Sequence, residues 1–174
     1  MIIFQLTGLP ASGKTTLSNI VKRKLEAEGT DVAVLDGDIV RKTIHKELGF
    51  SEEDRKENIR RLGLMAHALQ QGNEIVIIAA ISPYEEIRNE LKNKYGAKTV
   101  WLKCSLEELM NRDPKGLYRR ALLPADDPEK ISNLSGINQD YEQPVNPDLV
   151  IDTEFNSIES SSTLLFDFIK QCAG

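Results

Sequence analysis

The sequence predicts an α/β fold of three layers, in which a mainly parallel five-stranded sheet carries helices on both faces. Two observations lead to this prediction. Short apolar runs alternate along the chain with segments of helical periodicity, and one of these runs is β-branched and almost uninterrupted. Alternating strands and helices are typical of a parallel sheet with right-handed crossovers, and a continuous apolar strand is buried on both of its faces.

The predicted strands are the apolar runs themselves. They lie at Ile2–Leu6, Val32–Leu35, Ile75–Ile81, Thr99–Leu102 and Leu149–Ile151. In sheets of this kind, ligands bind beyond the carboxyl ends of the strands. The turns that follow the first three strands begin at Gly8, Asp36 and Ser82. We therefore expect these three turns to line one cleft.

Helices are predicted between the strands from their apolar spacing and their end signals. The first helix ends at Gly29, since a glycine beyond the last periodic residue commonly stops a helix. Ser51 with Asp54, and Ser105 with Glu108, begin two further helices, because a serine followed three residues later by an acidic residue can cap a helix N-terminus. The remaining helices are predicted around Glu86–Lys94 and around Leu164–Ile169.

One segment, residues 113–146, does not fit this alternation. It is long and rich in Pro, Asp, Asn and Gly, whereas most connections in a compact domain are short. We therefore expect it to be a lid or binding loop within a single domain that spans residues 1–174.

Composition excludes several classes of function. The chain has 174 residues and a net charge of -5, and an acidic surface disfavours nucleic acid or anionic membranes as partners. The two cysteines, Cys104 and Cys172, are too few for a disulfide scaffold and indicate a reducing compartment. The two histidines, His45 and His67, are not spaced as a metal-binding pair. With no apparent signal peptide or membrane-spanning run, we expect a cytoplasmic location.

The turn after the first strand matches the Walker A pattern G-x-x-x-x-G-K-[ST]. Its backbone N–H groups can surround a phosphate, the Lys14 ammonium can reach the β- and γ-phosphates, and the Thr15 hydroxyl can bind Mg²⁺. This loop predicts a site for a nucleoside triphosphate. The predicted nucleotide-binding residues here are Gly8, Leu9, Pro10, Ala11, Ser12, Gly13, Lys14, Thr15 and Thr16.

Two carboxylates, Asp36 and Asp38, follow the second strand and can face these phosphates. One of them could hold the Mg²⁺ shell while the other accepts a proton from an attacking hydroxyl. The alternative is that Asp-Gly-Asp is only a turn in which Asp38 caps the next helix. Both interpretations can hold together.

Basic residues are concentrated in the segment that follows, at Arg41, Lys42, Arg55, Lys56, Arg60 and Arg61. Beside a phosphate site, such a cluster suggests a second anionic substrate. Arg55 and Asn58 are three residues apart on one helix face, so both could reach the same ligand. The interleaved acidic residues equally allow a solvated face of ion pairs, and the pattern leaves both alternatives open.

Taken together, these motifs and their order resemble the adenylyl-sulfate (APS) kinase family. The segments that carry the resemblance are Gly8–Thr15, Leu35–Asp38, Leu48–Arg61, Ile81–Tyr84 and Arg112–Tyr118. The resemblance implies a P-loop NTPase fold and a homodimer. It also implies an enzyme that uses MgATP to phosphorylate the 3′-hydroxyl of adenosine 5′-phosphosulfate (APS), which gives 3′-phosphoadenylyl sulfate in sulfate assimilation.

The resemblance also implies roles for individual residues. Lys14, Asp38 and Ser82 would be catalytic, with Asp38 as the base toward the ribose hydroxyl. Thr15 and Asp36 would hold Mg²⁺, and Arg112 would pack against the ATP adenine. The substrate-binding residues would be Asp36, Asp38, Arg41, Phe50, Arg55, Asn58, Ile81, Ser82 and Leu134.

Among these residues, Phe50 would stack on the adenine of the acceptor. Ser82 occupies a position sometimes assigned as a phosphoserine intermediate, but direct in-line transfer needs no protein nucleophile.

The segment between Tyr118 and Tyr141 departs from the family pattern. Leu134 replaces a second stacking aromatic, and Ser132 replaces a lysine. Two alternatives therefore stay open beside APS phosphorylation. One is a P-loop kinase that acts on a different nucleotide-linked anion, and the other is a nucleotide-binding switch.

Overall fold

The computed structural model describes residues 1–174, which form five strands and seven helices. The strands are β1 (Ile2–Thr7), β2 (Val32–Asp36), β3 (Ile75–Ala79), β4 (Lys98–Lys103) and β5 (Leu149–Asp152). The helices are α1 (Lys14–Ala27), α2 (Gly37–Thr43), α3 (Glu52–Leu69), α4 (Glu85–Tyr95), α5 (Leu106–Arg112), α6 (Leu117–Ala121) and α7 (Ile158–Ala173).

All strand pairs are parallel, and the sheet has the order β2-β3-β1-β4-β5. Strand β1 is central, with Phe4 opposite Ile77 of β3 and Lys98 of β4. Every residue of β3 is buried, as its β-branched run predicts. The predicted five-stranded parallel sheet is confirmed, and the carboxyl ends of β1, β2 and β3 meet at one edge.

Helices cover both faces of the sheet, and each face has its own apolar core. On one face, Leu62 of α3 and Leu91 of α4 pack on alternate residues of β1 and β3. On the other face, Leu17 of α1 and Leu165 of α7 pack on the residues between them. Because β3 is buried on both sides, it reads as a continuous apolar run in the sequence.

The predicted helix starts at Ser51 and Ser105 are confirmed. The Oγ of Ser51 accepts a hydrogen bond from the Asp54 backbone N–H at 3.1 Å, and the Oγ of Ser105 accepts one from Glu108 at 3.3 Å. Gly29, with φ 86°, follows the end of α1 as predicted. The third strand is shorter than predicted and ends at Ala79, because the chain leaves the extended conformation on its way to Ser82, where φ is 45°.

One predicted cap was wrong. Helix α2 begins at Gly37, and its N-cap is Asp36 rather than Asp38. The Oδ1 of Asp36 accepts hydrogen bonds from the backbone N–H groups of Asp38 at 2.9 Å and Ile39 at 3.1 Å. Asp36 still pairs with Ala79 in the sheet, so it is the last extended residue before the helix and has the backbone conformation that a cap requires.

Residues 113–146 contain one short helix, α6, and otherwise irregular chain. They carry part of a third apolar cluster, in which Tyr118, Ala121 and Leu134 pack with Leu109 of α5. Leu9 and Ala11 of the turn after β1 pack against the same cluster. The segment therefore has its own small core and rests on the phosphate-binding turn. No helix of the chain is both long and apolar enough to span a bilayer.

Candidate active site

The turn between β1 and α1 has the backbone geometry of a phosphate-binding loop. Gly8 has φ 156° and Gly13 has φ 95°, and a Cβ at Gly8 would lie 2.6 Å from the Ser12 Oγ. No side chain caps the N-terminus of α1, and its first turn contains no acidic residue. The first N–H groups of this helix are therefore free to bind an anion.

Lys14 folds back over this loop. Its Nζ donates hydrogen bonds to the carbonyl oxygens of Gly8 at 2.7 Å and Leu9 at 2.8 Å, and to the Ser12 Oγ at 3.3 Å. Desolvation by burial lowers the pKa of Lys14 to about 8, although the charges of Asp38 and Asp36 act in the opposite direction. A phosphate group bound here would supply the negative charge that the ammonium lacks.

Thr15 and Asp36 are brought together from separate elements. The Thr15 hydroxyl donates a hydrogen bond to the Oδ2 of Asp36 at 2.6 Å, while the other carboxylate oxygen caps α2. This pair offers one hydroxyl and one carboxylate oxygen beside the phosphate loop. Oxygen ligands of this kind suit Mg²⁺, which keeps several waters and binds few protein groups when it accompanies a nucleotide.

Asp38 forms an ion pair with Lys115, whose Nζ lies 2.7 Å from the Oδ2 of Asp38. Partial desolvation raises the pKa of Asp38, but the hydrogen bond and charge of Lys115, together with Lys14 and Lys42, outweigh it and lower the pKa below its usual value. Asp38 is therefore ionised at neutral pH and can accept a hydrogen bond or a proton. Both side chains are largely exposed, so the pair can exchange partners.

Arg41 and Arg55 approach the ring of Phe50. Their guanidinium carbons lie 5.1 Å and 5.5 Å from the centre of the ring. Their hydrogen bonds go to uncharged oxygens: Arg41 donates to the Gly49 carbonyl, and Arg55 donates to Phe50, Gln139 and Asn133. Desolvation by burial lowers the pKa of Arg55, and the charge of Arg41 lowers it further. These two positive charges favour an anionic ligand.

Asn58 lies on the same face of α3 as Arg55, and both are buried. The Oδ1 of Asn58 pairs with the Nδ1 of His45 at 2.9 Å. Because an amide oxygen can only accept, the Nδ1 of His45 carries the hydrogen. The amide nitrogen of Asn58 remains as a donor toward a ligand.

Three other members of the basic cluster pair with acidic side chains. Lys56 pairs with Glu52 and Glu86, Arg60 pairs with Glu90, and Arg61 pairs with Glu47 and Glu57. Both interpretations of the cluster therefore hold in part. Arg41 and Arg55 lie at the candidate site, and the remaining residues with acidic partners form a solvated network of ion pairs.

Ser82 and Ile81 join the end of β3 to the phosphate loop. The Thr7 hydroxyl donates to the Ile81 carbonyl at 2.6 Å and to the Ser82 carbonyl at 3.2 Å, and Arg88 donates to the Ser82 carbonyl at 2.6 Å. Ser82 is buried with a φ of 45°, and its Oγ has no hydrogen-bond partner. This orphaned hydroxyl can bond to a ligand or a water molecule.

Three predicted residues lie outside this group of contacts. Arg112 donates to Glu108 at 2.9 Å and to the Thr153 carbonyl at 2.6 Å, at the ends of α5 and β5. Thr16 is exposed on the first turn of α1. Leu134 is 6% exposed in the apolar cluster with Tyr118, so its side chain serves packing in this arrangement and does not present a stacking surface.

Sequence reasoning missed two residues that the structure places at the site. Lys115 reaches Asp38, and Gln139 contacts Arg55 and Phe50. Lys115 belongs to one of the motif segments, so a search for the partner of Asp38 among the lid's basic residues could have found it. No local signal distinguishes Gln139 from other polar residues of the lid.

Known proteins of one family resemble this chain over most of its length. A family model described as adenylylsulphate kinase matches residues 1–152. The adenylyl-sulfate kinase of Picosynechococcus sp. is 44% identical over 156 residues, which cover 89% of this chain and 85% of that protein. The probable adenylyl-sulfate kinase of Aeropyrum pernix is 40% identical over 174 residues, covering 97% of this chain and 92% of the relative.

A solved structure gives the same relationship in three dimensions. The APS kinase of Mycobacterium tuberculosis, in complex with AMPPNP and APS, superposes with a TM-score of 0.88 at 34% identity and covers 97% of both chains. The likeness thus extends from the sequence to the fold of nearly the whole chain. The chain belongs to the adenylylsulphate kinase family.

Proposed function

We propose that this protein transfers the γ-phosphoryl group of ATP to the 3′-hydroxyl of APS and so produces 3′-phosphoadenylyl sulfate. The observation that carries the proposal is the placement of Asp38. It follows the strand whose last residue, Asp36, holds the Thr15 hydroxyl, and Lys14 is close enough to influence its pKa. A base at this point would lie between the phosphate loop and the group formed by Arg41, Arg55 and Phe50.

In the nucleotide half of the site, the phosphate loop and Lys14 would bind the β- and γ-phosphates of ATP. Thr15 and Asp36 would hold Mg²⁺, which would neutralise charge on these phosphates. Lys14 would exchange its bonds to the loop carbonyls for bonds to phosphate oxygens. Arg112 and the chain around Thr153 lie beyond the ends of β4 and β5 and are proposed to contact the adenine of ATP.

In the acceptor half, Arg41, Arg55 and Asn58 would bind the phosphosulfate and Phe50 would stack on the adenine of APS. The 3′-oxygen attacks the γ-phosphorus in line, an O–P bond forms, and the bond between the γ-phosphorus and the bridging oxygen breaks to release ADP. The hydroxyl proton passes to Asp38, which must first separate from Lys115. Residues 113–146 are proposed to act as the lid over this reaction.

The direct test is an assay of the purified protein with ATP, Mg²⁺ and APS. We expect saturable formation of ADP and of a product phosphorylated at the 3′ position, identified by ³¹P NMR and mass spectrometry. A 3′-deoxy analogue of APS serves as the control, because it binds without offering the acceptor hydroxyl. An absence of APS-dependent ADP release would contradict the proposal.

Leu134 and Ser132 stand where the family pattern has an aromatic residue and a lysine, so the same assay also tests which acceptor the protein prefers. A panel of nucleotide-linked anions is compared with APS by kcat/KM. Saturation by APS at micromolar concentration excludes another preferred acceptor, and acceptor-stimulated turnover of any kind excludes a nucleotide-binding switch. The homodimer implied by the family resemblance and the cytoplasmic location expected from the composition stay predictions.

The lowered pKa of Lys14 predicts that the protein takes up protons when the nucleotide binds. Its pKa of about 8 in the free protein leaves about half of the molecules uncharged at pH 8, and the bound phosphates favour the charged form. Binding of Mg²⁺–AMPPNP at pH 8 should therefore take up about half a proton. Titration calorimetry in two buffers of different ionisation enthalpy measures this number. The uptake assigned to Lys14 should vanish in Lys14→Met.

Ser82→Ala is expected to retain turnover within about tenfold of the parent, because direct transfer needs no protein nucleophile. The substitution removes a buried hydroxyl without a partner, so the melting temperature should not fall. Ser82→Gly separates any effect of the backbone, since glycine relaxes the φ of 45°. Complete loss of activity in the alanine variant, with a phosphoserine isolated from the parent, would contradict direct transfer.

A further inference from the structure

Gln139 joins the lid to two residues of the proposed acceptor pocket. Its side-chain Oε1 accepts a hydrogen bond from the Arg55 Nε at 2.7 Å, and its Nε2 donates one to the Phe50 carbonyl at 2.7 Å. Both ends of the amide are thus engaged, and their partners fix which end faces which residue. A hydrocarbon side chain of the same length could make neither bond.

The contacts of Arg55 divide its guanidinium into two edges. The Nε and Nη2 donate to Gln139 and to the Asn133 carbonyl of the lid, and the Nε is shared with the Phe50 carbonyl at 3.3 Å. The Nη1 has no partner in the protein. A planar guanidinium that is held along one edge presents its remaining N–H groups in a fixed direction, which suits bidentate binding of an oxyanion.

The backbone that carries Gln139 is itself fixed. Its N–H donates to the Leu134 carbonyl at 3.2 Å, and its carbonyl accepts from the Gly136 N–H at 2.7 Å. Leu134 is buried in the lid's apolar cluster, and Gly136 has φ 88°. The buried Leu134 therefore anchors the turn that positions Gln139. Through this turn, the packing of Leu134 helps to determine where the Gln139 side chain lies.

We propose that Gln139 is a positioning residue for the acceptor nucleotide, which holds Arg55 and Phe50 in the orientation that binds it. The inference rests on the proposed function, since it concerns the affinity of that site for APS. Because the contact forms only when the lid lies on α3, binding of the acceptor and ordering of the lid must favour each other.

The test compares the parent with Gln139→Met, which keeps the length of the side chain and removes both hydrogen bonds. We expect the KM for APS to rise about tenfold, as for loss of a hydrogen bond to a charged group. We expect kcat and the KM for ATP to stay within about twofold, because the nucleotide half is not contacted. Gln143→Met, an exposed residue of the same loop, is the matched control and should change none of these constants.

A second variant covers the case in which Gln139→Met does not fold, which would appear as loss of AMPPNP binding. Gln139→Glu keeps the acceptor toward Arg55 but loses the donor to Phe50 and adds a negative charge. The KM for APS should rise here as well, since the carboxylate competes with the anionic substrate for Arg55. An unchanged KM for APS in a folded variant of either kind would overturn the proposal.

A double-mutant cycle shows whether Gln139 acts through Arg55. In an Arg55→Lys background, which lacks the held edge, Gln139→Met should raise the KM for APS by a smaller factor than in the parent, because only the bond to the Phe50 carbonyl is left to lose. Independent, multiplying effects would overturn the proposal. A parent that neither binds nor phosphorylates APS would overturn the proposed function and this inference together, whereas an active parent with unaffected variants overturns this inference alone.

Discussion

Asp38→Asn is expected to lower kcat by about three orders of magnitude while AMPPNP still binds within about twofold of the parent affinity. The substitution keeps the size of the side chain and removes the group that accepts the proton from the 3′-hydroxyl, and general base catalysis contributes about 10²–10⁴ to rates. Asp38→Ala should have the same effect. Binding is retained because the phosphate loop and the Thr15–Asp36 pair do not involve this carboxylate.

Steady-state kinetics and titration calorimetry with AMPPNP measure the two parts of this prediction. Asp126→Asn, an exposed aspartate of the lid, serves as the control. Lys115 and the other positive charges lower the pKa of Asp38 despite its desolvation, so its carboxylate stays ionised above pH 5. Titration of Asp38 in the free enzyme should therefore not limit kcat/KM between pH 5 and neutrality. Near-normal turnover in Asp38→Asn would exclude it as the base.

Lys14→Met is expected to lower kcat by about 10²–10³, because the variant lacks the ammonium that stabilises negative charge on the γ-phosphate in the transition state. The affinity for AMPPNP should fall as well, since the same charge contacts the bound phosphates. This substitution should lower the activity without lowering the stability of the ligand-free protein. The folded protein disfavours the charged form of Lys14, as its pKa of about 8 records, whereas the unfolded chain does not.

The sign of the stability effect follows from this pKa. Between pH 8 and about 10.5 the unfolded chain binds more protons at Lys14, so its contribution to the free energy of unfolding rises with pH in that window. At pH 7 the charged lysine still carries its desolvation cost, and Lys14→Met removes it. The melting temperature of the ligand-free variant should not lie below that of the parent. Lys46→Met, at an exposed lysine, is the control. Full activity in Lys14→Met would exclude the proposed role of Lys14 in stabilising the γ-phosphate.

Most of the fold could be predicted because its signals are local. Ser51 caps α3 through a residue three positions away, and β3 shows its burial in its own apolar run. The phosphate loop is also local, since its glycines and Lys14 lie within seven residues. The cap of α2 was assigned to Asp38 instead of Asp36 because both residues are aspartates and either could cap a helix. Only the strand pairing of Asp36 with Ala79 decides where the extended chain ends.

The candidate site could be predicted as a set of residues but not as a set of contacts. Arg41 and Arg55 stand in a run with Lys56, Arg60 and Arg61, and their residue types do not say which face a cleft. In the structure, Lys56 and Arg60 pair with acidic residues of α4, whereas Arg41 and Arg55 have no such partner and lie at the candidate site. Charge patterns describe which residues are available for pairing, whereas packing determines which pairs form.

The sequence by itself determined the parallel sheet, the triphosphate site and the family, since each of these depends on short segments or on their order along the chain. Only the tertiary structure decided how the lid meets the site. Gln139 and Arg55 are 84 residues apart, and Lys115 and Asp38 are 77 apart. Such contacts depend on how the lid's apolar cluster around Leu134 packs against the phosphate loop, and no periodicity or motif in the chain encodes that distance.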